Sequence, residues 1–245
     1  MEKARRSISR VLNCRPGELF FTSGATESNN WAIATAAGSS SNHIITSVIE
    51  HKSVLDACLA FQKRGGEVTF LPVDAQGIVS PNDIADAIRP NTSLVSIMLA
   101  NNEIGTIQPV TDIAAITREA GVRFHCDATQ AIGYLAPDFK SLGPNLISFS
   151  GHKIYGPKGI GALYIDKETQ TLHGGVRKHV VRRRPRGRAP AWDAKHHRHR
   201  RIRGSNKNFQ RDLRQRKAKS SRPEKQILEP VVQAHPNGHR QLAAR

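Results

Sequence analysis

The sequence predicts an α/β domain, a mostly parallel sheet with helices on both faces, followed by a segment that builds no domain of its own. Two observations carry this. Over residues 1–170, short apolar runs rich in β-branched and aromatic residues alternate with stretches of helical periodicity, the pattern of repeated βαβ units. Near residue 172 that periodicity stops, and the charge changes with it. Residues 1–170 carry 15 Lys+Arg against 16 Asp+Glu, whereas residues 171–245 carry 22 against 4. The whole-chain net charge of +17 therefore describes neither part.

Taken in order, the opening stretch MEKARRSISRVL is basic, lacks an apolar signal core and contains Glu2, so it reads as an amphipathic helix rather than a secretion signal. Strands are expected at 19–22, 43–47, 67–71, 93–99, 123–127, 146–149 and 161–165, with helices at 27–37, 52–64, 80–89 and 109–121. Pro81 and Pro109, after Ser80 and Gln108, stand where a first helical turn tolerates proline. A domain of this size buries roughly 70% of its unfolded surface, enough for a substantial core. The cysteines, Cys14, Cys58 and Cys126, have no paired spacing. That argues against a disulfide scaffold or zinc ribbon and suits a reducing compartment. No apolar run is long enough to span a membrane.

Four short motifs carry candidate chemistry. In Ser150-Gly151-His152-Lys153, just after a buried strand, the lysine amine can form an imine with an aldehyde cofactor if partly desolvated. Alone, Lys153 reads as a surface lysine. Phe21 to Thr26 reads as strand, tight turn and helix start, where the N–H groups of Ala25 and Thr26 would cradle a phosphate. The plainer reading is an ordinary helix capped by Thr26. Asp127 ends a strand and Gln130 follows three residues on. The carboxylate suits a protonated pyridine nitrogen and the amide a phenolic oxygen, though a strand-end Asp also caps turns. His51, after Glu50, stands at a strand-to-helix junction, where an imidazole can stack on a flat ring and exchange protons or simply cap the helix.

Order and spacing add what each motif lacks alone. FTSGATESNN (21–30), EHKSVLDAC (50–58), NNEIGTIQPV (101–110), DATQAIGY (127–134) and SFSGHKIYGPKGIGALYI (148–165) together resemble the cysteine desulfurases of the class V aminotransferase family. The likeness runs from about residue 3 to about residue 174. It implies a large domain of the aspartate aminotransferase type over residues 1–174, a homodimer, and a place in the cytoplasm. It also implies that Lys153 holds pyridoxal 5'-phosphate covalently, that Asp127 faces the pyridine nitrogen and Gln130 the phenolic oxygen, and that His51 stacks over the ring. By the same likeness Ala25, Thr26, Ser150 and His152 hold the phosphate, and Asn102 lies near ring and substrate. Such enzymes take L-cysteine to L-alanine. A loop cysteine attacks the substrate sulfur, and the resulting persulfide supplies iron–sulfur scaffolds or tRNA-modifying proteins.

The sequence departs from that family at both ends. The upstream Asn-Ala-Ala-Thr-Thr loop of the family is absent, and beyond His173-Gly174-Gly175 neither the small domain nor the nucleophilic cysteine loop is recognisable. As a strand neighbour of Asp127, Cys126 is expected to point to the opposite face and is not a substitute nucleophile. Sulfur transfer is therefore expected to fail in this chain, while cofactor capture survives weakly. Residues 175–245 form a basic tail expected to be disordered, because it has too little apolar surface to offset ordering entropy. Loss of family pattern, periodicity and charge balance at one point suggests translation out of frame. The alternative is a non-catalytic, decayed domain whose tail binds nucleic acid through clusters such as Arg184, Arg186 and Arg188. The nearby His196, His197 and His199 have no spacing that defines a metal site.

Overall fold

A computed structural model describes residues 1–36, 42–135 and 137–172. The basic tail, with its expected disorder and nucleic-acid and histidine clusters, lies outside the described residues.

The first helix, α1 (Glu2–Val11), is amphipathic as expected: Ala4 and Ile8, with Leu12 just beyond, form one buried stripe at four-residue spacing. The Arg5 guanidinium lies 4.9 Å over the Phe21 ring and ties this helix to β1 (Leu19–Thr22). There follow α2 (Ala25–Ala34), β2 (His43–Ser47), α3 (Lys52–Gln62), β3 (Glu67–Leu71), α4 (Pro81–Ala87), β4 (Thr92–Ser96) and α5 (Val110–Glu119). The described chain closes with β5 (Arg123–Asp127), α6 (Phe139–Leu142), β6 (Leu146–Ser150), a 3-10 turn (Gly151–Ile154), β7 (Gly161–Ile165) and α7 (Lys167–Leu172).

All seven expected strands are present in one sheet, ordered β1-β7-β6-β5-β4-β2-β3. The pairs β3–β2, β2–β4, β4–β5 and β5–β6 are parallel, while β7 runs antiparallel to both β6 and β1. Helices cover both faces. α2 and α3 bury Ala32, Ile33, Val54, Ala57 and Phe61 against Ile44, Leu94 and Leu146. On the other face α5 and its neighbours bury Val110, Ile113 and Ala114 against Val95, Phe124, Cys126 and Ile147. Strands covered on both sides are buried along their whole length, as in β2, β4 and β6, and the edge strand β3 is not.

Three local expectations need correction. Ser80 caps α4 with Pro81 in its first turn, but Pro109 is the residue before α5, one position earlier than expected. Thr26 is not the cap of α2, which is Gly24, so the helix begins two residues early. β4 ends at Ser96 rather than 99, although Ile97 and Leu99 continue to donate to the His125 and Asp127 carbonyls.

What the fold positions is a crevice. β3 and β4 lie on opposite sides of β2, and the chain segments leaving the carboxyl ends of β2 and β4 part there, the place where open α/β sheets take ligands.

A candidate cofactor pocket at the carboxyl ends of the strands

A cavity of about 460 Å³ opens at that crevice, within the range of small-molecule sites. Its lining includes all nine residues singled out from sequence: Ala25, Thr26, His51, Asn102, Asp127, Gln130, Ser150, His152 and Lys153.

One wall is the turn between β1 and α2. Gly24 has no side chain to cap the helix, and the first backbone bond within it is Ser28 N–H to the Gly24 carbonyl. The amides of Ala25 and Thr26 therefore end the helix at the cavity, with the positive end of its dipole. Glu27 reaches back instead, accepting 2.6 Å bonds from the Ser23 N–H and hydroxyl. A Cβ added to Gly24 would meet nothing within 4 Å. The turn is held from behind by Gly161 at the start of β7, where a Cβ would lie 2.8 Å from the Gly24 backbone.

The floor is Asp127, 5% exposed at the end of β5. One carboxylate oxygen accepts from Asn29 Nδ2 at 2.7 Å and the other from the Thr129 N–H at 2.9 Å. Both donors are neutral, and none of the salt bridges among the described residues involves Asp127. Two residues back on the same face, His125 is bonded to Ser96 and Ser148, and burial pushes its imidazole down to about 4. Cys126, between them, packs in the opposite core, as strand alternation requires.

Lys153 is exposed in the 3-10 turn after β6. Its neighbour His152 shares a 2.7 Å bond with Ser150 Oγ, and desolvation, then the charges of Lys153 and Lys158, push its imidazole down and favour the neutral ring. Opposite, His51 is both a helix cap and a pocket residue: its Nδ1 accepts the Ser53 N–H at 3.1 Å. Asn102 projects from a turn shaped by Asn101, whose Oδ1 accepts the Glu103 and Ile104 amides and whose Nδ2 donates to the Ile49 carbonyl.

Behind Met98 lies Glu50, fully buried, with one carboxyl oxygen accepting from the Met98 N–H and the Ser47 hydroxyl. Burial pushes its carboxyl up to about 8, so it is a neutral acid at pH 7. Because the folded value lies above the unfolded one, Glu50's contribution to stability is fully present below about pH 4.5 and is lost as pH rises through 8. Glu50→Gln keeps the acceptor and cannot ionise. Unfolding free energies from urea titration are expected to match those of the parent at pH 4.5 and to exceed them at pH 9, by on the order of 3–5 kcal/mol.

Sequence reasoning missed Lys158 and Gly159, which line the same cavity, and the buried Asn29 and Ser53 behind it. Lys158 stood inside a quoted motif, and a second cation beside the phosphate cradle was the signal. No cysteine lines the cavity. Burial pushes Cys14 and Cys58 up to about 12 and raises Cys126 as well, so all three are protonated thiols at neutral pH. No helix among the described residues is long and apolar enough to cross a membrane.

Residues 1–182 match the family described as aminotransferase class-V. The chain belongs to that family. The match extends eight residues beyond the boundary at 174 read from the sequence. Among curated relatives, this family member is 46% identical over 188 residues to the cysteine desulfurase IscS of Dictyoglomus turgidum, covering 74% of the chain and 48% of the relative. It is 50% identical over 181 residues to IscS of Methanosarcina thermophila, covering 71% and 45%. The chain thus spans about half the length of the relatives it matches. Among solved structures, DndA from Streptomyces lividans superposes with a TM-score of 0.74 at 36% identity, covering 87% of this chain and 61% of the other. SspA in complex with cysteine gives 0.65 at 45% identity, covering 67% and 48%.

Enzymes of this family depend on pyridoxal phosphate, and the pocket's residues fit that group. An uncapped helix end suits its phosphate, a buried carboxylate in no salt bridge among the described residues suits its ring nitrogen, and a lysine lining the cavity suits its aldehyde, although Lys153 is exposed and not desolvated as the sequence reading required.

Proposed function

We propose that this chain is the cofactor- and substrate-binding part of a pyridoxal-phosphate-dependent cysteine desulfurase. The observation that carries this is the convergence of the nine predicted residues, from five separate chain segments, on one cavity at the strand ends.

In this reading the Ala25 and Thr26 amides, Ser150 and His152 hold the phosphate. Asp127 pairs with the protonated ring nitrogen, Gln130 bonds the phenolic oxygen, His51 covers the ring face, and Lys153 makes the covalent attachment. Asn102 stands beside ring and substrate. When bound, the cofactor supplies an electron sink that weakens bonds at the amino acid's α-carbon. The protein keeps it anchored, shields one face with His51, and holds the ring nitrogen's proton against Asp127. His152, disfavoured as a cation by desolvation and then by its two lysine neighbours, contributes a hydrogen-bonding group to the phosphate cradle.

The substrate is L-cysteine, and the partners are a second copy of the chain and a sulfur acceptor such as an iron–sulfur scaffold. The thiol that takes the sulfur is none of Cys14, Cys58 and Cys126, which are raised thiols outside the cavity.

Titration with pyridoxal phosphate tests the reading. The chain is expected to acquire a visible absorption band, and L-cysteine is expected to shift it without lasting turnover. A chain that stays colourless in excess cofactor overturns the cofactor assignment. A coloured chain whose band ignores L-cysteine but responds to another amino acid overturns the substrate.

A further inference from the structure

Asn29 has no place in any of these roles, yet it is fully buried one turn into α2, against the pocket floor. Its amide nitrogen makes two short bonds in different directions: 2.7 Å to Asp127 Oδ2 and 2.8 Å to Ser53 Oγ. Both amide hydrogens are committed. Turning the amide over would set its carbonyl oxygen against the Asp127 carboxylate, so its orientation is fixed by charge. Ser53 Oγ, accepting from Asn29, has its own hydrogen left for His51 Nδ1, 2.7 Å away. The Ser53 backbone N–H also donates to Nδ1, but at 3.1 Å it is the longer and weaker of the two bonds, so the hydroxyl's proton sets how firmly that nitrogen stays unprotonated. Nδ1 is thereby an acceptor, and in the neutral ring the proton sits on Nε2.

We propose that Asn29 is a positioning residue that joins the two sides of the cofactor pocket: one amide hydrogen aligns the Asp127 carboxylate and the other, relayed through Ser53, locks the His51 tautomer. The relay Asp127–Asn29–Ser53–His51 is buried through its middle and reaches the cavity at both ends. It couples the group beneath the ring nitrogen to the group above the ring face. The proposal deepens the cofactor reading above and rests on it for its purpose, but not for its geometry.

The test uses the full chain with ¹⁵N-labelled histidine and no cofactor. In the parent, the neutral His51 ring is expected to show an unprotonated Nδ1 and a protonated Nε2. Asn29→Leu, which does not touch His51, is expected to move the His51 ring nitrogens toward a mixture of tautomers while other histidine signals stay in place. Ser53→Ala removes the shorter of the two donors to Nδ1 at a tolerant position in the first turn of α3. It is expected to do the same, and serves where Asn29→Leu does not fold. Cofactor titration is then expected to give at least ten-fold weaker binding for Asn29→Leu. Folded variants whose His51 signals match the parent overturn the relay, whatever the cofactor does. A chain that takes up no cofactor but shows the tautomer shift leaves the relay standing and removes the functional reading instead.

Discussion

Asp127→Ala is expected to weaken pyridoxal phosphate binding by at least about 100-fold, on the order of 3 kcal/mol, with little change in the secondary structure. The carboxylate faces the cavity from a nearly closed floor, 5% exposed, and meets only two neutral donors, Asn29 Nδ2 and the Thr129 N–H. Among the described residues no salt bridge reaches it, and in the proposed reading a protonated ring nitrogen supplies the missing cation. Removing it leaves that cation buried without a partner and strands one Asn29 hydrogen, and both losses fall on the complex. Asp127→Asn keeps the volume but sets an amide against Asn29, and is expected to recover less than a tenth of the affinity. Fluorescence titration with the cofactor measures both. Parent-like affinity in Asp127→Ala would place the ring nitrogen elsewhere.

The second large effect is on the scaffold. Gly161→Ala is expected to destabilise the domain by about 3 kcal/mol, a fall of roughly 6–12 °C in Tm. A Cβ there would lie 2.7 Å from the Phe149 carbonyl oxygen and 2.8 Å from both Cα and C of Gly24. All three are backbone atoms, so no side chain can turn aside. Either the β6–β7 pairing opens or the turn before α2 moves, and the second route also displaces the Ala25 and Thr26 amides that are proposed to hold the phosphate. Thermal unfolding of the cofactor-free chain reads the first loss, and phosphate-dependent cofactor affinity reads the second. Gly24→Ala is the control, because a Cβ at that position meets nothing within 4 Å.

Much of this site was legible in the sequence, for physical reasons. Ala25, Thr26, His51, Asp127 and Lys153 each stand at a strand end or helix start, and a parallel sheet brings those junctions to one edge. Strand alternation alone set Asp127 and Cys126 on opposite faces, and the two cores bear this out. What stayed hidden depends on long-range pairing. β7 reads as an ordinary strand, and its antiparallel place between β6 and β1 follows from neighbours up to 145 residues apart, such as Leu19 and Tyr164. Asn29 looked like one polar residue among three in SNN, and only packing of α2 over the sheet places it on Asp127. α6 and α7, of four and six residues, are too short to show a period.

The central claim is that this pocket attaches pyridoxal phosphate through Lys153, although Lys158 lines the same cavity. Borohydride reduction of the cofactor-loaded chain, followed by peptide mass spectrometry, tests it most directly. The account predicts a pyridoxyl group on the peptide bearing Lys153, lost in Lys153→Ala and retained in Lys158→Ala. A label on Lys158, or one scattered over surface lysines in the parent chain, would contradict it.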